Sequence, residues 1–377
     1  MRKLFAAVTV LGLVTAAAVA ADKEGIKKED SSKEPEPKAL KVGDKAPQLT
    51  VSKWMQGKAV SAFTPGKTYV VEFWATWCGP CIIMMPHLGE LQAEFKDKGL
   101  TVIGYTTKDP MNTEQKVADF VAKRGPKLGY TFAYGDGPAM DNAWMNAAHQ
   151  DGIPCSFVVD PNGKLAYIGH PMFLGVVLPK VIAGNWNAEQ GDLEVAEAKK
   201  ELQAAFRGMN GPTPEESLKT LTEFETKRPE LAKLPFFVSP KIMLLLRAKK
   251  LDEAKKLAGV VLAKAIEQDD AGGLRTVANI CKFRGAKEQK DLTDLSLKAA
   301  DALLKVSGDK DLGALVTAAE VNFATGNKAK AKEYGKKALA AAADQPKGIR
   351  TQVERLVEKY DDAKETDGKK ETKKEDK

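Results

Sequence analysis

The sequence predicts an α/β sandwich built on a mixed sheet, followed by an all-α region. In the first half, short runs of β-branched and aromatic residues alternate with stretches of helical periodicity. That alternation ends near residue 160 in an antiparallel hairpin. Past Gly184 the β-branched runs stop, and Ala, Lys, Leu and Glu dominate to about residue 360. At 377 residues the chain is too long for one small domain. Its net charge of +7 comes from lysines interleaved with acids, without a basic–aromatic patch, which argues against nucleic acid as a partner. Four cysteines in this length exclude a disulfide-rich scaffold.

Residues 1–20 have the three parts of a secretory signal: basic Arg2 and Lys3, an apolar run, and small residues Ala18-Val19-Ala20. The run is short and alanine-rich for a membrane span, so cleavage is expected, with an uncleaved anchor as the alternative. Export to a periplasm or similar oxidising compartment means that electrons must be delivered from elsewhere. Residues 21–39 are charged and poor in large apolar side chains, which predicts a disordered spacer. The mixed-charge stretch 361–377 is expected to be a solvated tail.

Within residues 40–186, a β-hairpin is expected after Ala46-Pro47, then a buried strand at Thr68–Ala75 (TYVVEFWA). A helix follows and stops at Gly99. Leu100–Thr106 predicts a second core strand, Thr113–Lys123 a helix, Tyr130–Tyr134 a strand and Ala139–His149 a helix. After the turn Gly152-Ile153-Pro154, Cys155–Asp160 and Lys164–Gly169 flank Pro161-Asn162 as a hairpin. A last helix runs to about Gly184, and GNWNAEQGD reads as a linker.

Between the first strand and its helix lies Trp77-Cys78-Gly79-Pro80-Cys81. A Cys-x-x-Cys that opens a helix sets its first thiol among unpaired backbone N–H groups, at the positive end of the helix dipole. That environment lowers a thiol pKa from about 8.5 toward neutrality and gives a thiolate able to attack a disulfide. The second thiol, one turn on, attacks the mixed disulfide and releases the reduced substrate. Cys78 is therefore expected to attack and to be the more exposed, and Cys81 to resolve. A four-thiolate zinc site would need a second pair, and Cys155 and Cys281 are isolated. A purely structural bridge would need neither the preceding strand nor the following helix. No metal or organic cofactor is expected. Glu72 interrupts an apolar strand, where burying a carboxylate is costly. It is expected to lie beneath Cys81 and take the resolving proton, a solvated sheet-margin Glu being the alternative.

The run Phe73-Trp74-Ala75-Thr76-Trp77-Cys78-Gly79-Pro80-Cys81, with Pro86 five residues on, resembles the thioredoxin superfamily. Gly43-Asp44-Lys45-Ala46-Pro47 and Gly152-Ile153-Pro154 narrow the resemblance to exported TlpA-like (ResA-like) thiol-disulfide oxidoreductases, over about residues 40–186. The resemblance implies a thioredoxin-like sandwich with Pro154 in cis facing the cysteine pair. It implies that Ile153 offers backbone groups to an incoming peptide and that Gly169 lines the same groove, with Trp77, Gly79 and Pro80 on the client-binding surface. Protein disulfide clients and a membrane electron donor are implied with it. The Gly-Pro dipeptide resembles thioredoxin, whose potential of about −270 mV is reducing, so reductase is the expected direction.

The chain also departs from those relatives. They often carry a Glu where it has Met84 and a basic residue where it has Ile82, while Glu72 stands where thioredoxins keep a buried Asp. Cys155, which replaces a common threonine, is expected in the core rather than as a third redox thiol. Cys281, Met84 and Met85 read as packing, and His170 as a loop residue.

Beyond the linker, helices are expected at Leu193–Gly208, Glu215–Lys227, Phe236–Lys249, Asp252–Glu267, Gly272–Phe283, Asp291–Val306, Leu312–Thr325, Ala329–Ala343 and Gly348–Tyr360. Small residues at Ala319, Gly326, Ala331 and Ala338 resemble a tetratricopeptide helix pair, and Ala302 to Ala338 is close to one repeat of about 34 residues. An irregular bundle is the alternative. The helical domain, residues 190–360, is expected to offer a surface to a protein partner. The reading is thus an exported, two-domain thiol-disulfide oxidoreductase. A peroxiredoxin-like antioxidant is disfavoured, because Val71 and Ala75 occupy the places of the Pro and Thr that precede its cysteine. A scaffold working through its helices is the remaining alternative.

Overall fold

A computed structural model describes residues 39–362, apart from 284, 285, 287 and 288. The signal-like segment 1–20 and the tail from 363 onward lie outside the described residues, as does the 21–39 spacer except for Ala39. Six strands form one sheet: β1 (Lys53–Gln56), β2 (Thr68–Phe73), β3 (Leu100–Thr107), β4 (Thr131–Gly135), β5 (Cys155–Val159) and β6 (Leu165–Gly169), in the order β1-β4-β3-β2-β5-β6. The pairs β2–β3 and β3–β4 are parallel, whereas β1–β4, β2–β5 and β5–β6 are antiparallel. The mixed sheet is as predicted. Every residue of β2 is buried, as expected of a central strand covered on both faces.

Three helices complete this half: α1 (Gly79–Phe95), α2 (Glu114–Leu128) and α3 (Leu174–Ile182). On one face, Val70, Val102, Phe132 and Val158 pack against Met84, Met85, Leu88 and Leu91 of α1. On the other, Val71, Phe73, Ile103 and Phe157 pack against Met140 and Trp144. The helix expected at Ala139–His149 widens into a π-helical stretch at Asp141–Asn146, where the Trp144 indole N–H donates to the Gln48 carbonyl at 3.3 Å.

The predicted early hairpin is absent among the described residues. Only β1 forms there, and it pairs with β4 at the sheet edge. Both flanks of β2 are taken by β3 and β5, so the preceding segment has no partner there. The chain also breaks at Gly57, which has φ +82°, and a Cβ there would lie 2.5 Å from Thr131 Oγ1.

The second half is all helix: α4 (Ala188–Gly208), α5 (Pro214–Lys227), α6 (Pro229–Ala232), α7 (Pro235–Arg247), α8 (Leu251–Glu267), α9 (Ala271–Ala278), α10 (Lys290–Ser307), α11 (Leu312–Ala324), α12 (Lys328–Ala341) and α13 (Lys347–Asp362). The short α6 was not foreseen, and the segment expected at Gly272–Phe283 is α9 followed by a 3-10 turn at Asn279–Lys282. The stretch read as a linker is mostly the first turn of α4. Asn187 caps that helix by accepting the Gln190 backbone N–H at 3.2 Å, and the Trp186 indole N–H donates to the Ala166 carbonyl at 2.7 Å. Gly191 packs beneath the same indole, which is why its lack of a side chain did not mean a loop. One apolar core runs from Val70 of the sheet through α1 and α3 into the helices as far as Val321.

Candidate active site

The β2 strand delivers the chain to the N-terminus of α1, and there Cys78 and Cys81 form a disulfide with an S–S distance of 2.03 Å. Cys78 is the N-cap, and its sulfur accepts the Cys81 backbone N–H at 3.2 Å, while Pro80 sits in the first turn, where no N–H is needed. Cys78 was expected to be the more exposed sulfur. In the disulfide both residues are covered, 4% against 2% exposed, so capping and not exposure distinguishes them. Gly79 and Pro80 are exposed beside the pair, and Trp77 stands half exposed next to it.

Alternation along β2 sends Val70, Glu72 and Trp74 to the face that α1 covers, and Val70 and Trp74 share one core cluster with both cysteines. Glu72 is thus buried, with 2% of its surface exposed, and is not a solvated margin residue. The Ser156 hydroxyl donates to Glu72 Oε2, and Oε1 has no hydrogen-bond partner among the described residues. Burial pushes the Glu72 carboxyl up to about 8, partly offset by the Ser156 bond. The register lines up Gly104, Glu72, Ser156 and Gly169 in one row across four strands, so two side-chain-free positions flank the acid and its donor.

The Ile153–Pro154 peptide bond is cis, as the resemblance implied. Cys155 pairs with Phe73, so Pro154 follows the end of β2 that leads into Trp74 and the cysteine turn. Ile153 is partly buried against both apolar clusters. The Cys155 thiol lies in the core beneath Phe73 and is pushed up to about 12 by burial, so it stays protonated at neutral pH. Cys281 is buried, as read. His170 accepts the Met172 backbone N–H through Nδ1 at 3.2 Å, which makes it the cap of a 3-10 turn. Among the described residues no group of three or more His, Cys, Asp or Glu side chains is arranged to hold a metal.

Sequence reasoning missed the loop that braces this site. Asn112, fully buried, accepts from the Thr76 backbone N–H at 2.9 Å and from its hydroxyl at 2.8 Å. Its amide nitrogen donates to Thr106 Oγ1 at 2.8 Å and to the Thr107 carbonyl at 2.7 Å. Asp109 accepts the Trp77 indole N–H at 2.8 Å. The Asp109-Pro110 dipeptide is a turn signal, but nothing in the sequence says that the turn folds back onto residue 76.

Residues 41–173 match the family described as Redoxin. The chain is 34% identical over 154 residues to the protein FixW of Rhizobium leguminosarum, covering 40% of this chain and 70% of that protein. It is 30% identical over 135 residues to the thiol-disulfide oxidoreductase ResA of Bacillus thuringiensis (strain Al Hakam), covering 33% and 68%. Among solved structures it is similar to the thioredoxin domain of a thiol-disulfide oxidoreductase from Bacteroides vulgatus, at 27% identity and TM-score 0.29, covering 34% of this chain and 86% of that one.

Proposed function

The chain belongs to the redoxin family of the thioredoxin superfamily, and from that membership we propose that it is an exported, ResA-like reductant of protein disulfides. It is a thiol-disulfide oxidoreductase, and the observation that carries this is the Cys78–Cys81 disulfide at the N-terminus of α1. In the reduced enzyme, the Cys78 thiolate attacks one sulfur of a client disulfide and expels the other as a thiolate, leaving a Cys78–client mixed disulfide. Glu72 takes the Cys81 proton, and the Cys81 thiolate attacks Cys78 to release the second client thiol. Two electrons have passed to the client, and the enzyme holds the disulfide found in this structure.

The cis peptide before Pro154, off the same end of β2, supports a groove there in which Ile153 backbone groups and Gly169 meet the client chain. The signal-like residues 1–20 support export, and an exported reductant requires a membrane donor of electrons. The helical half is a tetratricopeptide-like array offering a surface to a protein partner, a reading supported by the successive helix pairs α9–α10 and α11–α12.

The test is insulin reduction by the full chain with a dithiol donor. Activity is expected to vanish in Cys78→Ser and to survive in a Cys155→Ser, Cys281→Ser double variant. An equilibrium potential above about −150 mV for the Cys78–Cys81 pair would overturn the reductase direction.

A further inference from the structure

Trp77 and Met111 are two of the large apolar side chains left in solvent, 50% and 58% exposed. One carboxylate holds the Trp77 indole and the Met111 backbone. Asp109 Oδ2 accepts the Trp77 indole N–H at 2.8 Å, and Oδ1 accepts the backbone N–H groups of Met111 at 2.6 Å and Asn112 at 2.8 Å. The two oxygens share one carbon, so the indole and the Met111 backbone are neighbours on the rim of the disulfide. From below, Asn112 ties this loop to Thr76 and to the end of β3. From the side, Lys116 Nζ donates to the Met111 carbonyl at 3.0 Å. A single exposed apolar residue needs no explanation. Here one acid holds the Trp77 indole and the backbone that carries the Met111 side chain next to a reactive disulfide, and a surface held in this way has less freedom to lose on meeting a client.

We infer that Met111 is a specificity determinant: with Trp77 it forms an apolar shelf beside Cys78–Cys81 that takes a large apolar side chain flanking the client's attacked cysteine. The inference rests on the disulfide-reductase reading and names the class of client that reading serves. The occupant is a client polypeptide, because the shelf is continuous with the place where a client disulfide must come. An acidic flanking residue is disfavoured there, since it loses water on an apolar surface. One apolar contact of this size discriminates by about tenfold.

The test uses the reduced full chain and two synthetic peptides with the same intramolecular disulfide, one carrying Leu and one Asp next to the attacked cysteine. Native protein is expected to favour the Leu peptide in kcat/KM by about tenfold. Met111→Ser should lower that ratio to about threefold, and Met111→Lys, which also attracts the Asp peptide, to about one or below. Damage to the fold or to thiol reactivity lowers both rates and leaves the ratio, so the ratio reports the shelf. A native ratio near one, or a ratio unmoved in both variants, overturns the shelf. Failure of the native protein to reduce either peptide overturns the reductase reading and the shelf with it.

Discussion

Lys264 of α8 forms an ion pair with Glu90 of α1 directly beside His87, a buried imidazole with neither nitrogen hydrogen-bonded among the described residues. The pair joins the helical half to the helix that carries the cysteines. Lys127 of α2 and Asp269, in the turn between α8 and α9, form a second bridge at 2.7 Å.

His87 makes this junction sensitive to acid. Burial lowers its pKa from 6.5 to about 4; Glu90 pulls it upward, while Lys264 and Lys233 push it further down. A group whose folded pKa is depressed favours the folded state above its unfolded pKa, and that stability is lost as pH falls toward the folded value. The window is therefore about pH 6.5 to 4, and the stability lost across it reaches about 3 kcal/mol. His87→Leu should widen its stability advantage over native protein across this window and hold it constant above pH 7, measured by denaturant titration at each pH. A constant advantage at every pH would show that His87 does not titrate on unfolding.

Residues 40–186 were expected to stand as a domain of their own, and the shared core sets a cost on separating them. A fragment ending at Asn187 keeps the Trp186–Ala166 bond but exposes the face of α1 around His87 and the α3 surface that α6 covers near Gly175. It should melt at least about 5 °C below the full chain and bind a hydrophobic dye, while still reducing small disulfides. An unchanged midpoint would mean that the helices only abut the sheet.

The contrast in what the sequence revealed follows from the range of the forces involved. The burial of β2, the helix after the cysteines and the disulfide itself are written in contiguous residues, where periodicity and spacing act locally. Glu72 was legible because a carboxylate in an apolar strand is a local contradiction. Ser156, its hydrogen-bond donor, was not, because it lies 84 residues away and meets Glu72 only through the β2–β5 register. Asn112 was hidden for the same reason. Trp186 and Gly191 misled in the other direction, since a polar, glycine-containing run reads as a linker until an indole is seen packed on it.

The two thiols should differ in reactivity once reduced. Cys78 caps α1 and receives the Cys81 N–H, so its thiolate is the stabilised one. In reduced protein near neutral pH, Cys78 should be alkylated at least about tenfold faster than Cys81. Cys81→Ser should trap mixed disulfides with clients, and Cys78→Ser should trap none. Mass mapping of the alkylated sites decides this, and equal rates would remove the assignment.

Glu72 is the remaining test, because it separates a proton carrier from a structural acid. Its folded pKa of about 8 lies above the ordinary 4.5, so the buried carboxyl holds its proton where the unfolded chain has released it. That contribution is complete below about pH 4.5 and is lost as pH rises to about 8, so that about 3 kcal/mol of it has gone by neutral pH. Glu72→Gln should remove this slope and leave the protein more stable at pH 7 than native. The same substitution should slow the resolving step by about 10²–10⁴-fold, because the Cys81 proton loses its acceptor. The native resolving rate should climb with pH and level off near 8, as the carboxylate form fills, and the variant should lack that inflection. Single-turnover reduction of a disulfide peptide, with the decay of the mixed disulfide followed separately from the first attack, measures both effects. A variant that gains stability but resolves at the native rate would leave Glu72 a buried acid with no part in the reaction.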